Sequence, residues 1–146
     1  MTDTVSIRTP GHLWAVGIIS LLWNGMGAAD YIMTKLHSAA YLAMFTPVEM
    51  AWIDGFPLWA SAAWALGVWG AVAGSLLLLA RRRWAVTAFA FSLLGIFGTT
   101  LYQYALSDMP ASFRTLGTAL FSVTLWIVAI ALYVYARRLQ ARGVLR

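Results

Sequence analysis

The stretch Val68-Trp69-Gly70-Ala71-Val72-Ala73-Gly74-Ser75-Leu76-Leu77-Leu78-Leu79-Ala80-Arg81-Arg82-Arg83 is an unbroken apolar run that stops at three consecutive arginines. Hydrocarbon rejects ionised groups and water rejects long apolar surfaces. Such a run is therefore stable across a bilayer, with its arginines in the headgroup layer. Followed backwards, it is free of Asp, Glu, Lys and Arg from residue 55 to residue 80, and three further windows, 9 to 29, 84 to 107 and 115 to 136, are equally free of them. Each exceeds the roughly 20 residues a helix needs to cross a hydrocarbon core, where a helix satisfies its own backbone hydrogen bonds. The next gap, 36 to 48, is too short. The pattern predicts one all-α membrane domain over residues 1–146, an integral four-transmembrane-helix bundle with spans at about 12–34, 57–80, 84–107 and 115–136.

Composition points the same way. Of 146 residues, 62% are apolar and 10% charged, against roughly 25% charged in a soluble domain, too few to cover a water-facing surface. The net charge of +5 does not indicate nucleic acid, because the arginines sit at the edges of apolar runs rather than along one face. With no cysteine in the chain, disulfides, zinc–thiolate sites, iron–sulfur clusters and thiol catalysis are excluded.

Arg8, Arg81, Arg82, Arg83, Arg137, Arg138, Arg142 and Arg146 fall on one side of the four windows, and only Lys35 and Arg114 on the other. By the positive-inside rule both termini and the 81–83 turn are cytoplasmic, with anionic lipid as the partner of those arginines. Arg8 and the apolar run ending at Gly27, Ala28 and Ala29 have the outline of a signal peptide, but the run is long for one. Trp14 and Trp84 at the inner edge, and Trp52 and Trp59 at the outer, read as an aromatic belt.

Between the first two spans, Phe45-Thr46-Pro47-Val48-Glu49-Met50 carries a helix-start signal. Thr46 caps, Pro47 suits the first turn, Glu49 bonds back to the Thr46 amide, and Gly55 and Pro57 end the element. A short outer interfacial helix, about 46–54, is expected to lie in the interface or cover the bundle. Nothing between Tyr31 and Phe45 breaks a helix, so the first helix is free to continue beyond the membrane.

Small residues mark close helix contacts in lipid, here Gly67, Gly70 and Gly74 on the second span and Gly95 and Gly98 on the third. Polar residues cluster near the outer ends of the first and third spans: Asp30, Tyr31 and Thr34 on one, Thr99, Thr100, Tyr102, Gln103 and Tyr104 on the other. Trp23, Gly27, Asp30, Thr34 and His37 follow a 4-3-4-3 spacing and share one helix stripe. The functional reading is an outward-facing pocket between the first and third spans, with Asp30 as charged anchor, Asn24 and Gln103 as polar contacts, and Tyr102, Tyr104 and Trp59 as walls. The mix suits a polyol or an organic cation. Read one by one, Asp30 bonds a neighbouring helix, the tyrosines anchor at the interface, and Asn24 is interhelical glue.

His12 and His37 are the only histidines, and at helical rise they lie roughly 37 Å apart, too far to bind one iron within a subunit. No metal-ligand spacing, nucleophile-and-base pair or phosphate loop occurs, so neither a cofactor nor a metal is expected and enzyme activity has no support.

Leu21-Leu22-Trp23-Asn24-Gly25-Met26-Gly27, Thr46-Pro47-Val48-Glu49 leading to Gly55-Phe56-Pro57-Leu58-Trp59, and the run from Val68 to Leu79 with its arginines resemble a family of small bacterial four-helix inner-membrane proteins often labelled sugar transporters. The likeness covers about residues 13 to 105 through the Trp-Asn-x-Met-Gly and Gly-Phe-Pro elements. It implies this fold in a bacterial inner membrane, and no binding residue of that family transfers to a position here. Two functions are expected: a carrier or binder of a small polar or cationic molecule, a carrier acting as a homodimer, or an accessory subunit that docks its glycine face on a larger membrane complex.

Overall fold

A computed structural model describes residues 9–146; Arg8, counted above with the basic residues, lies outside them. In chain order the helices are α1 (Gly11–Lys35), α2 (Ala39–Leu42), α3 (Pro47–Asp54), α4 (Leu58–Leu79), α5 (Trp84–Leu101) and α6 (Leu116–Ala141). A π-helical turn, Tyr102–Leu106, continues α5, and a 3-10 turn, Ala111–Phe113, precedes α6; no strand occurs among the described residues.

Leu58–Leu79, Trp84–Leu106 and Leu116–Ala141 are long and apolar enough to cross a membrane. Their outward faces carry exposed Leu66, Leu76, Phe91, Leu94, Phe97, Leu120 and Ile127, surface that water does not stabilise. α1 has 25 residues and exposes Ile18, Ile19, Leu22 and Met26. Asn24 and Asp30 make it less apolar than the other three.

Glycine decides how closely α4 and α5 pack. Gly95 lies so near Gly67 and Ala63 that a Cβ there would strike both backbones, Gly70 faces the backbone of Ser92 and Ala88, Gly74 accommodates the Phe89 ring, and Gly98 meets Ala63. All five glycines of the predicted packing set therefore sit in one contact within the chain, where the Ser92 hydroxyl also donates to the Gly67 carbonyl at 2.6 Å. α1 lies along α4. Gly17 abuts the Leu79 side chain, and Asn24 Nδ2 donates to the Ala71 carbonyl at 3.2 Å and to Ser75 Oγ at 3.0 Å.

α6 joins this group chiefly at its arginine-bearing end. Its buried residues, Leu132, Ala136 and Leu139, meet Leu13, Leu78, Ala85 and Phe89 in the hydrophobic core, together with Val144 and Leu145 of the tail. The tail reaches them by turning at Gly143, whose φ is 70°. It then pairs with the 81–83 turn: the Arg146 amide donates to the Arg81 carbonyl at 2.8 Å and the Arg83 amide to the Arg146 carbonyl at 2.9 Å. This end of the bundle is a packed floor. Towards the other end α6 turns bulky Phe121, Leu125 and Trp126 inward, and side chains of that size hold its backbone away from the other helices.

The freedom of the first helix to run on is not used. His37 adopts φ 51°, and bonds from the Ser38 amide to the Met33 carbonyl (3.0 Å) and from the His37 amide to the Thr34 carbonyl (3.2 Å) close a left-handed C-terminal cap. His37 Nε2 also lies 3.3 Å from Asp54 Oδ1, tying the end of α1 to the end of α3. α3 begins on a capping box: Thr46 Oγ1 accepts from the Glu49 amide and the Glu49 carboxylate accepts from the Thr46 amide.

Candidate functional site

Between the floor and the opposite end the four long helices line a partly open cavity of about 600 Å³, within the roughly 300–1,000 Å³ range of small-molecule sites. α1 contributes Trp23, Asn24, Gly27, Asp30 and Thr34; α4, Trp64, Gly67, Val68 and Ala71; α5 and its π turn, Ser92, Ile96, Thr99, Thr100, Gln103 and Tyr104; α6, Thr118, Phe121, Ser122, Leu125 and Trp126. The end remote from the floor is covered by an aromatic roof of Phe45, Trp52, Phe56 and Phe113. Trp52 contacts Phe56 and Phe113 with ring centroids 5.0 and 5.5 Å apart, and Phe45 contacts Phe113 at 6.4 Å. The Trp52 indole donates to Ser107 Oγ at 3.2 Å, pinning α3 to the end of the π turn.

Asp30 is the one Asp, Glu, Lys, Arg or His side chain among the described residues that lines the chamber. The Tyr41 hydroxyl donates to its Oδ1. That contact and partial burial keep Tyr41 protonated: burial first, and the Asp30 carboxylate second, push its phenol up to about 12. At the far end of the roof segment, the Ser112 hydroxyl and the Thr46 amide hold the Glu49 carboxyl below its usual range, so the capping box stays charged at neutral pH.

Asn24, Asp30, Gln103 and Tyr104 line one chamber. Tyr102 and Trp59 do not. Tyr102 packs on Phe56 and Trp59 with centroids 4.7 and 5.6 Å apart and donates to the Gly55 carbonyl at 3.3 Å, supporting the roof from outside. Nor does the chamber lie between the first and third spans alone: α4 packs against both α1 and α5, and α6 supplies the fourth wall. Trp52 departs from the belt reading, since it is part of the roof, whereas Trp14, Trp59 and Trp84 are exposed.

Sequence reasoning passed over two contributors. The sequence reading names no site residue on the α6 wall, although Thr118, Ser122, Leu125 and Ala129 recur at helical spacing with polar groups at its start, a readable signal. Tyr41 carried no such signal, because its approach to Asp30 depends on the turn at His37.

Fold and chamber together describe an all-helical chain with three helices able to span a membrane and an interior cavity of small-molecule size. No family model, curated protein or solved structure matches the chain.

Proposed function

We propose that this chain crosses a bacterial inner membrane four times, with its termini and the arginine-bearing floor in the cytoplasm, and that it binds a small molecule in the roofed chamber, as a binder or as one subunit of a carrier. Four spans rest on α1 being as long as its neighbours, on its apolar outer face, on Asn24 bonding α4 within the bundle, and on Asp30 receiving the Tyr41 hydroxyl from α2. Orientation rests on the arginine asymmetry, which gives anionic lipid headgroups a surface of exposed Arg82, Arg83, Arg137, Arg138, Arg142 and Arg146. Location in a bacterial inner membrane draws on the resemblance noted in the sequence. The observation that carries ligand binding is the chamber itself, about 600 Å³ with one carboxylate on its wall. The accessory-subunit alternative loses its main argument, since the glycines it would offer a partner are occupied between α4 and α5.

Gly27 supplies the test. It lines the chamber, and a Cβ added there meets nothing within 4 Å. Gly27→Phe should fill the space without displacing a helix, and small molecules that copurify with the wild-type protein from gently solubilised membranes should be lost from the variant. Identical small-molecule content by mass spectrometry in the two proteins would overturn ligand binding in the chamber.

A further inference from the structure

The chamber's polar groups are not equally free, and their state discriminates between ligand classes. Several of its uncharged donors already point at partners inside the protein. Asn24 Nδ2 donates to Ala71 and Ser75, Ser92 to the Gly67 carbonyl, and Thr99 to the Gly95 carbonyl. Thr100 takes the Trp126 indole N–H, while Tyr104 pairs with Ser122. Groups left without a partner among the described residues include the Gln103 amide and the Trp23 and Trp64 indole N–H groups, together with the Asn24 carbonyl oxygen and hydroxyl lone pairs; the Asp30 carboxylate, which receives one phenol, is the one charged group. A neutral polyol can hydrogen-bond to these groups but leaves the carboxylate without a counter-charge. A protonated amine brings donors and charge, and needs acceptors and a counter-ion.

The remaining walls fit the rest of such a molecule. Trp23, Trp64, Phe121 and Trp126 line the chamber, and indole and phenyl faces attract both apolar groups and cations. A carboxylate in surroundings this apolar is costly unless a positive charge accompanies it, and no Lys, Arg or His side chain among the described residues lines the chamber to provide one. The route is also apolar. α1 and α6 meet through side chains such as Trp23 and Phe121, with centroids 6.2 Å apart. Met26 and Phe121 line the chamber and are 63% and 57% exposed. In the four-span reading that seam faces the bilayer, where an amphipathic amine partitions.

Resting on the reading of the chamber as a ligand site, we propose that its ligand class is the protonated amine with an aromatic or similarly apolar body, held by Asp30 and reaching the chamber through the seam between α1 and α6.

The test uses the full chain in nanodiscs of zwitterionic lipid, titrated calorimetrically with 2-(2-naphthyl)ethylammonium and with the neutral alcohol of the same skeleton, empty nanodiscs giving the partition background. The ammonium should bind about tenfold or more tightly than the alcohol. Asp30→Asn should abolish that preference and leave alcohol binding in place. Tyr41→Phe breaks the same hydrogen bond without removing the charge, so it should keep the preference; loss of preference in both variants alike would assign the effect to the fold and overturn the proposal. Equal binding of alcohol and ammonium, survival of the preference in Asp30→Asn, or binding of neither probe would each overturn it as well. The chamber reading fails separately, if Gly27→Phe binds the alcohol as wild type does.

Discussion

Asp30 and Tyr41 form the contact on which the chamber's electrostatics turn, and its two halves differ in how far the sequence revealed them. The 4-3-4-3 spacing put Trp23, Gly27, Asp30 and Thr34 on one stripe, and all four line the chamber. His37, the last member of that stripe, leaves it because the backbone turns left-handed there. The same turn brings Tyr41 back over Asp30, a contact that no local pattern encodes. It has a pH signature. The Tyr41 phenol titrates near 10 when unfolded and is pushed up to about 12 in the folded chain, so folding favours the protonated form. The stabilisation is complete below pH 10, declines as pH rises from 10 towards 12, and is gone above the folded value. In denaturant unfolding of detergent-solubilised protein, the stability difference between wild type and Tyr41→Phe should be constant up to about pH 10 and shrink between 10 and 12. A difference that stays constant through pH 12 would show that Tyr41 is not held protonated by its burial and Asp30.

Elements were legible where their pattern is local. Charge-free windows located the long helices, and the Thr46-Pro47-x-Glu49 signal located α3 together with its capping box. The π turn at Tyr102–Leu106 was not legible, because nothing in Tyr-Gln-Tyr-Ala-Leu departs from helical composition; its end is fixed by tertiary contact, Ser107 accepting from the Trp52 indole. Glycine spacing marked a contact without naming its partner, and α4 against α5 resolves it. That contact tolerates no added atom at Gly95, where a Cβ would meet the Gly67 backbone and the Ala63 carbonyl. Gly95→Ala should therefore push the helices apart and cost about 1–3 kcal/mol, towards the upper end because both obstacles are backbone. Gly25→Ala is the matched control, since nothing lies within 4 Å of a Cβ there, and it should leave stability unchanged or raise it by about 0.5–1 kcal/mol. Comparable losses in the two variants, measured by the same unfolding assay, would mean that α4 and α5 are not packed as closely as described.

For the whole molecule, hydrocarbon's rejection of charge links composition to topology. From the 81–83 turn the chain leaves along α5 and returns along α6, so its tail comes back to the same end. The paired amides of Arg83 and Arg146, with Val144 and Leu145 buried beneath them, record that return. The floor thus gathers the arginines of the 81–83 turn and of the tail at one end of the bundle, and the roof segment, α3 with Ala111–Phe113, lies at the other. Because the chain has no native cysteine, single cysteines report each surface cleanly. Ala111 and Gln140 are both exposed, one beside the roof and one beside the floor. In intact bacterial cells a membrane-impermeant maleimide should label Ala111→Cys, while Gln140→Cys should react only after the inner membrane is permeabilised. Labelling of Gln140→Cys in intact cells with Ala111→Cys protected would reverse the orientation, and the arginines would then face away from the cytoplasm against the positive-inside rule. Labelling of both would mean an odd number of crossings between the two positions is not achieved, and α6 would have to lie outside the bilayer despite its apolar surface.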